Sequence, residues 1–425
     1  MLLVFIAFVA FLIVGMPIAY AIGVSGALYF VQHTNLPATI MVQMPLTQAQ
    51  NFALLAVPLF IFAGNLLNCG GTTERLARFA GVITGRMRGG YAQTSVVLST
   101  MMGGVSGSAI ADAAMEARLL GGQMKEAGYA KGFIACNIAF TGLITATIPP
   151  GNALIIYGTT GNVSIGKLFM TGMIVGLFLM LVMMLTTWGI SCLRGYKPAR
   201  REKITMAEFW AAFKESFWAL LFPVMLLIGI RMGLFTPSEV GAFACVYAAF
   251  VGVFVYKELN MQTFIKALED TAKDVGAVMF IIAMSALFGY GVPLDKVPQK
   301  VASVILGVTS NPQMVLILII LMLTVVGMFM EGAATILILT PILLPITKQI
   351  GIDPVHFGMI MCTVVTLSNC TPPVGLSMYT VNSIIGCSLG EYTKEMIPWL
   401  LTFLAAMAIL AFFPAPFMWL QSVMF

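Results

Sequence analysis

The sequence predicts an all-helical integral membrane protein built from two related halves. Three observations carry that expectation. Of 425 residues, 60% are hydrophobic and only 9% charged. Apolar runs long enough to cross a bilayer recur along the chain. Gly-rich and Pro-Pro interruptions fall at matching places in both halves. A soluble chain is about a quarter charged and could not cover its surface with so few charges. Soluble enzymes, nucleic-acid binders and disordered chains are therefore excluded. The net charge of +5 is spread over short loops and signals no nucleic-acid partner.

A bilayer-spanning helix needs about 20 mainly apolar residues. The first two runs, 1–15 and 17–31, are divided by Gly15-Met16-Pro17. No Asp, Glu, Lys or Arg precedes Glu74, so the basic start of a secretory signal is missing and the first run is expected to remain a membrane segment. Further spans are expected at 53–70, 129–160, 168–193, 216–235, 238–256, 275–292, 355–386 and 395–421. Thr236-Pro237-Ser238-Glu239 has the pattern of a capping box with Pro at the first helical position.

Two other runs, 91–124 and 312–347, have polar or Gly-rich centres and do not look like simple crossings. If neither crosses, the basic loops at 75–88, 125–131, 194–203 and 257–273 share one side, which the positive-inside rule makes cytoplasmic. The stretch 32–52 and both termini are then outside. This predicts about ten crossings and two re-entrant hairpins. The Trp- and Phe-rich stretch after the basic loop, up to 215, is expected to be an interfacial helix.

The halves, 1–193 and 216–425, repeat at an offset of roughly 220 residues, joined by 194–215. Ile148-Pro149-Pro150-Gly151 matches Thr371-Pro372-Pro373-Val374, and Ser164-Ile165-Gly166-Lys167 matches Ser388-Leu389-Gly390-Glu391. Each half holds three spans, a hairpin, a Pro-Pro-broken span and a last span. Five crossings per half is an odd number, so the second half is expected upside down relative to the first. Inverted repeats with broken segments at matching places point to a secondary transporter with a midplane site. Apolar helices resemble one another by composition, so the case rests on the order of the elements and the paired breaks.

The breaks suggest the chemistry. Gly103-Gly104-Val105-Ser106-Gly107-Ser108 interrupts the first hairpin, and unwound backbone is tolerated at membrane depth only within protein or at a wet cavity. Each Pro-Pro pair removes two amide donors and frees carbonyls about one turn earlier. Carbonyls with Ser and Thr hydroxyls make hard oxygen ligands suited to Na⁺. Half-helix N-termini favour an anion in the same gap. Glu331, alone in a run without other charges between Lys300 and Lys348, is an intramembrane acid and so a candidate functional residue. Asp112 and Glu116 are expected nearer the cytoplasm. The seven cysteines lie in or beside apolar stretches as small packers, and His33 and His356 stand alone, so no histidine metal site is expected. There is no nucleophile–base pair and no phosphate loop, so neither an enzyme nor an ATPase is expected.

At these motifs the sequence resembles the DctM-like large membrane subunit of tripartite ATP-independent periplasmic (TRAP) transporters. The resembling segments are PLFIFAGNLLNCGGTTERL from Pro58, GGVSGSAIADA from Gly103, IPPGNALIIYG from Ile148, GMFMEGAATILILTPILLPI from Gly327 and TPPVGLSMY from Thr371. The resemblance implies a sodium-driven, elevator-type importer of small organic anions in the bacterial inner membrane. It implies two partners, a small four-helix membrane subunit and a periplasmic substrate-binding protein. It also implies two Na⁺ sites. The first falls on Gly104, Ser106, Ser108, Thr145 and Pro149, and the second on Gly327, Glu331, Ser368, Thr371 and Pro372. Between them the substrate would meet Ser108, Asp112, Thr147, Gly151, Asn152, Glu331, Asn369 and Pro373. Glu331 stands where the family commonly has Asp. Thr145-Ala146-Thr147 replaces the usual Gly-Pro before the first pair, and Ser368-Asn369-Cys370 is more polar than usual. These departures leave C4-dicarboxylates, sialic acids, other sugar acids and small sulfonates all open. The alternative is a stand-alone Na⁺- or H⁺-coupled dicarboxylate or citrate transporter, which copurification with a small subunit would distinguish.

Overall fold

Apolar runs without breakers become helices, and Gly and Pro decide where they stop. The computed structural model describes residues 1–232, 235–309 and 311–424, and every regular element in it is helical. The first half contains α1 (Leu2–Ile13), α2 (Ile18–Gln32), α3 (Ala38–Ala49), α4 (Ala56–Cys69), α5 (Thr72–Thr84), α6 (Gly90–Gly103), α7 (Ala109–Glu126), α8 (Lys131–Thr147), α9 (Asn152–Gly161) and α10 (Ile165–Leu193). The second contains α11 (Met206–Arg231), α12 (Pro237–Phe250), α13 (Met261–Leu294), α14 (Val297–Val308), α15 (Pro312–Gly327), α16 (Gly332–Gln349), α17 (Pro354–Leu367), α18 (Leu376–Ile385), α19 (Leu389–Phe412) and α20 (Pro414–Met424).

Among the described residues, seven helical segments are long and apolar enough to cross a membrane alone, and the bent pair α8–α9 makes an eighth. The expected spans 1–15, 17–31 and 355–386 appear as shorter helices. Gly15-Met16-Pro17 separates the first two, and the Ser368 break ends α17. The span expected over 395–421 is cut at Phe413 because Pro414 starts a new helix, and the residue before proline is pushed out of the helical region. Positions 233 and 234, at the end of the span expected over 216–235, lie outside the described residues.

Three expected loops or separate elements prove to be parts of helices. Residues 206–215 are not a separate interfacial helix. Thr205 caps the start, and nothing but Pro223 interrupts the helix before Arg231. Much of the basic stretch 257–273 belongs to α13, which Asn260 caps. At 34 residues and about 1.5 Å per residue, α13 is longer than the hydrocarbon core, so its charged first turns can lie outside it. The basic segment after Glu74 is largely the amphipathic α5, packed on α6 and α11.

The capping box at Thr236 is present, with the Thr236 amide donating to the Glu239 carboxylate at 2.7 Å. Ser388 and Glu391 form another at the start of α19, and Ser164 caps α10 at the matching place.

Packing divides the molecule into a frame and an inner bundle. In the frame, α2 lies along α13, α4 lies along α12, and α4 meets α13. The two outer pairings exchange one element of each half, as a two-fold relation between the halves requires. Small residues set the approach: a Cβ on Gly26 would come within 2.6 Å of the Phe288 amide nitrogen, and one on Gly241 within 2.9 Å of Leu59 Cβ. In the bundle, α8 and α17 are the centre. Residues 132–147 and 355–367 are all buried. The contacts of α6, α7, α18 and α19 with α8 and with one another are mirrored by those of α15, α16, α9 and α10 with α17.

Candidate functional site

The two breaks are built alike. Residues 104–108 separate α6 from α7, and residues 328–331 separate α15 from α16. Opposite them, α8 turns into α9 through Pro149-Pro150 with a 44° bend, and α17 gives way to α18 across Pro372-Pro373. Both Pro-Pro bonds are cis. The last glycine of each first hairpin helix rests on a hydroxyl residue beside the opposite break. A Cβ on Gly103 would be 3.0 Å from Thr145 Cα, and one on Gly327 would be 3.0 Å from Ser368 Cβ. Gly107, with φ +61°, presses on the Pro150 carbonyl so closely that a side chain there would collide with it.

The expected first cation group is only partly drawn together. Ser106 and Thr145 are buried, but their hydroxyls are engaged: Ser106 donates to Asp112, and Thr145 donates to the Ser99 carbonyl at 2.9 Å. Pro149 and Pro150 offer no amides to the carbonyls of Thr145 and Ala146. Gly104 turns elsewhere: a Cβ there would come within 2.8 Å of Pro223 Cβ on α11. Gly103, not singled out from the sequence, is the glycine that faces the break. Its identity could have been found by aligning it with Gly327 across the repeat.

In the second group, Ser368 and Thr371 are buried. The Ser368 hydroxyl donates to the Val365 carbonyl at 2.6 Å and the Thr371 hydroxyl to the Leu367 carbonyl at 3.3 Å, leaving lone pairs on both oxygens. The Ser368 carbonyl, expected to be free, receives the Thr371 amide at a long 3.4 Å. Glu331 is the N-cap of α16, its carboxylate accepting the Ala334 amide at 3.1 Å.

A cavity of about 150 Å³ lies where the two breaks meet. Its polar lining is Ser108, Asn152, Glu331, Thr366 and Asn369, and Val278 reaches it from the frame helix α13. Four of these polar residues were expected to meet substrate. Thr366 and Val278 were not, because nothing local marks which face of α17 or α13 turns inward. The other four expected residues lie outside the cavity. Asp112 is buried beneath the tip, held by Ser106. The Thr147 hydroxyl bonds back to the Leu143 carbonyl at 2.8 Å. Gly151 is packed on the Ala146 carbonyl, which leaves no room for a Cβ. Pro373 is exposed, and its carbonyl accepts the Tyr379 hydroxyl at 3.0 Å.

The N-terminal ends of α7, α9 and α16 converge on this cavity, at Ser108, Asn152 and Glu331. Amide-rich helix starts attract negative charge. Asn152 Oδ1 is buried there without a partner among the described residues, as expected of a group that bonds a ligand or water. Glu331 places a carboxylate at the same spot, beside neutral hydroxyl and amide oxygens, where a cation could sit.

Comparison with known proteins places this geometry. The family model "Tripartite ATP-independent periplasmic transporter, DctM component" matches residues 5–416. The 2,3-diketo-L-gulonate TRAP transporter large permease YiaN of Escherichia coli is 34% identical over 94% of this chain and 94% of its own length. The C4-dicarboxylate TRAP transporter large permease DctM of Rhodobacter capsulatus is 32% identical over 97% of both. The isethionate TRAP transporter permease DctMQ of Oleidesulfovibrio alaskensis is 35% identical over 96% of this chain, which spans only 64% of that longer protein. Among solved structures, the YdaH transporter of Alcanivorax borkumensis shares the fold, with a TM-score of 0.62 at 15% identity over 88% of this chain and 87% of that one.

Proposed function

Because this chain belongs to the DctM family of tripartite ATP-independent periplasmic transporter components, we propose that it imports a small organic anion together with Na⁺. It is a multi-pass inner-membrane transport component and not an enzyme. The observation that carries the proposal is the single cavity shared by the two breaks, with three helix starts and Glu331 around it. Helix N-termini hold the anionic group, and Asn152 and Asn369 offer amide hydrogen bonds to its polar atoms. Cations are held by carboxylate, hydroxyl and freed carbonyl oxygens beside the breaks. Relatives carry names for diketogulonate, sialic acid, C4-dicarboxylates and isethionate. Their shared chemistry, a small molecule with an acid group, is the substrate class we assign. A small membrane subunit and a soluble binding protein complete the transporter; in one relative the permease is a DctMQ chain.

The division into bundle and frame supports movement by an elevator. The bundle carries the whole cavity except Val278. A cleft lined by Glu74, Arg78 and Arg200 on one side and Leu119 and Gln123 on the other separates α5 and the basic loop from the hairpin helix α7. Sliding the bundle along α13 would carry the cavity across the membrane.

Reconstitution in liposomes with the candidate small subunit and binding protein tests the reading. Uptake of an organic anion that needs both partners and stops when Na⁺ is replaced by K⁺ is the expected result. Uptake by this chain alone would point to a stand-alone transporter, and uptake indifferent to Na⁺ would overturn the coupling.

A further inference from the structure

A buried polar ladder runs through the first half of the bundle, outside the cavity. Three helices each contribute a pair one turn apart: Ser95 and Ser99 on α6, Asp112 and Glu116 on α7, and Thr141 and Thr145 on α8. None of the six is more than 1% exposed. The Ser95 and Ser99 hydroxyls each donate to one oxygen of Glu116 at 2.6 Å. The Ser95 and Thr141 hydroxyl oxygens are 3.4 Å apart. Asp112 accepts from Ser106 on one oxygen, while its other oxygen is buried without a partner among the described residues.

Among the described residues, no cationic side chain reaches these acids. Neither takes part in a salt bridge among the described residues. The helices packed on α7 are α6, α8 and α18. Their titratable side chains are Tyr91 on α6, Lys131 and Cys136 on α8, and Tyr379 on α18. Lys131 and Tyr379 are exposed, and Cys136 donates to the Tyr392 carbonyl of α19. Tyr91, a turn from Ser95, lines the cleft with Glu74 and Arg78. On α7 itself Arg118, Lys125 and Glu126 point to solvent or lipid. Among the described residues, Asp112 is therefore the one ionisable group facing Glu116.

Two carboxylates one turn apart, both desolvated and without a cationic side chain beside them, repel each other and lose their hydration. A proton removes both costs and needs no additional ligand. Ser and Thr hydroxyls rotate freely between donating and accepting. With Glu116 protonated, its own hydroxyl can donate to Ser95, whose hydrogen turns toward Thr141. The second half carries no acid at the matching places. Ala109 and Gly332 open α7 and α16 at a spacing of 223 positions, which sets Asp112 against Thr335 and Glu116 against Leu339.

We propose that Glu116 is a proton-binding site in the core of the bundle, protonated in the conformation described here and stabilised by Ser95, Ser99 and Thr141. Its partners Ser95, Ser99 and Thr141 are not among the expected sodium ligands, although Thr145 and the Ser106-bound Asp112 adjoin them, and the proposal stands whether or not transport is coupled to Na⁺. Uptake then depends on pH in addition to any sodium dependence.

Infrared spectroscopy of the purified full chain in detergent tests this directly. At neutral pH the wild type should show the C=O stretch of a protonated carboxyl, shifted in D₂O, lost at alkaline pH, absent from Glu116→Gln and retained in Glu331→Gln. In liposomes, uptake by the wild type should fall several-fold as pH rises, while Glu116→Gln should be nearly flat. Absence of the band from the wild type would overturn the proposal, as would its survival in Glu116→Gln or its loss on adding Na⁺ alone. If Glu116→Gln does not fold, retention of the band in both Asp112→Asn and Glu331→Gln supports the proposal, and its loss in either overturns it.

Discussion

The two breaks share a backbone plan and differ in chemistry. In each, a glycine at the end of the first hairpin helix rests against a hydroxyl residue beside a Pro-Pro pair, Gly103 on Thr145 and Gly327 on Ser368. Yet residues 141–151 of the first break are all buried, whereas Asn369, Pro372 and Val374 of the second are half-buried and Pro373 is exposed. The helix-capping positions Ser108 and Glu331 are equivalent across the repeat and both line the cavity, as do Ala146 and Asn369. The second half thus supplies the charge and the amide where the first supplies a hydroxyl and a methyl. The first half keeps its acids a turn deeper, under the tip. The comparison teaches that the repeat preserves what the backbone needs in order to break, and leaves side-chain chemistry free to diverge.

The sharpest way to break the comparison is to test whether the halves are inverted, since the outcome is all or none. Asn162 and Gly390 lie in exposed positions near the starts of α10 and α19, and a side chain at Gly390 meets nothing within 4 Å. In a background without the seven native cysteines, an impermeant maleimide should label Asn162→Cys in intact cells and Gly390→Cys only after permeabilisation. Labelling of both from outside would end the inverted reading.

Next in size is the contrast between Gly107 and Gly332. Gly107→Ala forces a side chain into the left-handed region, at about 1–2 kcal/mol, and against the Pro150 carbonyl. Gly332→Ala meets Val365 Cγ1 at an ordinary 3.6 Å. Gly107→Ala should lower thermal stability in detergent and nearly abolish uptake, while Gly332→Ala should leave both close to wild type. Equal tolerance would mean that the first break is not tightly closed.

Glu331→Gln and Ser108→Ala probe the equivalent positions on the cavity. Losing a charged interaction is worth about 1.5–3 kcal/mol, or about ten- to a hundredfold in affinity, against about 0.5–1.5 kcal/mol for a neutral one. Concentration for half-maximal uptake should rise accordingly, far more for Glu331→Gln. The order reversed would assign the charge-bearing role to the wrong half.

A smaller effect is expected at Thr371. Its hydroxyl bonds back within its own segment at 3.3 Å, so it can offer at most one neutral oxygen to a cation. Thr371→Ala should raise the sodium requirement by about two- to tenfold, and Thr371→Ser by less. Thr402→Ala, whose hydroxyl bonds to the Pro398 carbonyl at an exposed site, should change nothing measurable. A matching sodium curve for wild type and Thr371→Ala would remove Thr371 from the site.

Local signals were legible in the sequence. The breaks at 104–108, 149–150 and 372–373 follow from Gly and Pro alone, and Glu331 drew notice by its isolation. The burial of Asp112 and Glu116 was not legible. A charged residue near a hairpin tip looks the same in sequence whether water or α8 covers it. The choice between Gly103 and Gly104 also escaped, because neighbouring glycines differ only in the side of the helix they present.

By itself the sequence determined the membrane class, the places where the backbone must break, and the pairing of those breaks between two halves. Those properties depend on composition, on missing amide donors and on the steric freedom of glycine, all of which act within a few residues. Only the tertiary structure decided that Ser108, Asn152, Glu331 and Asn369 share one cavity, and that α6 and α8 surround Glu116 with hydroxyls and, among the described residues, no cationic side chain. Burial and electrostatic surroundings belong to the neighbours a residue acquires on packing, and in helices this uniformly apolar the pattern of side chains scarcely marks which face those neighbours will cover.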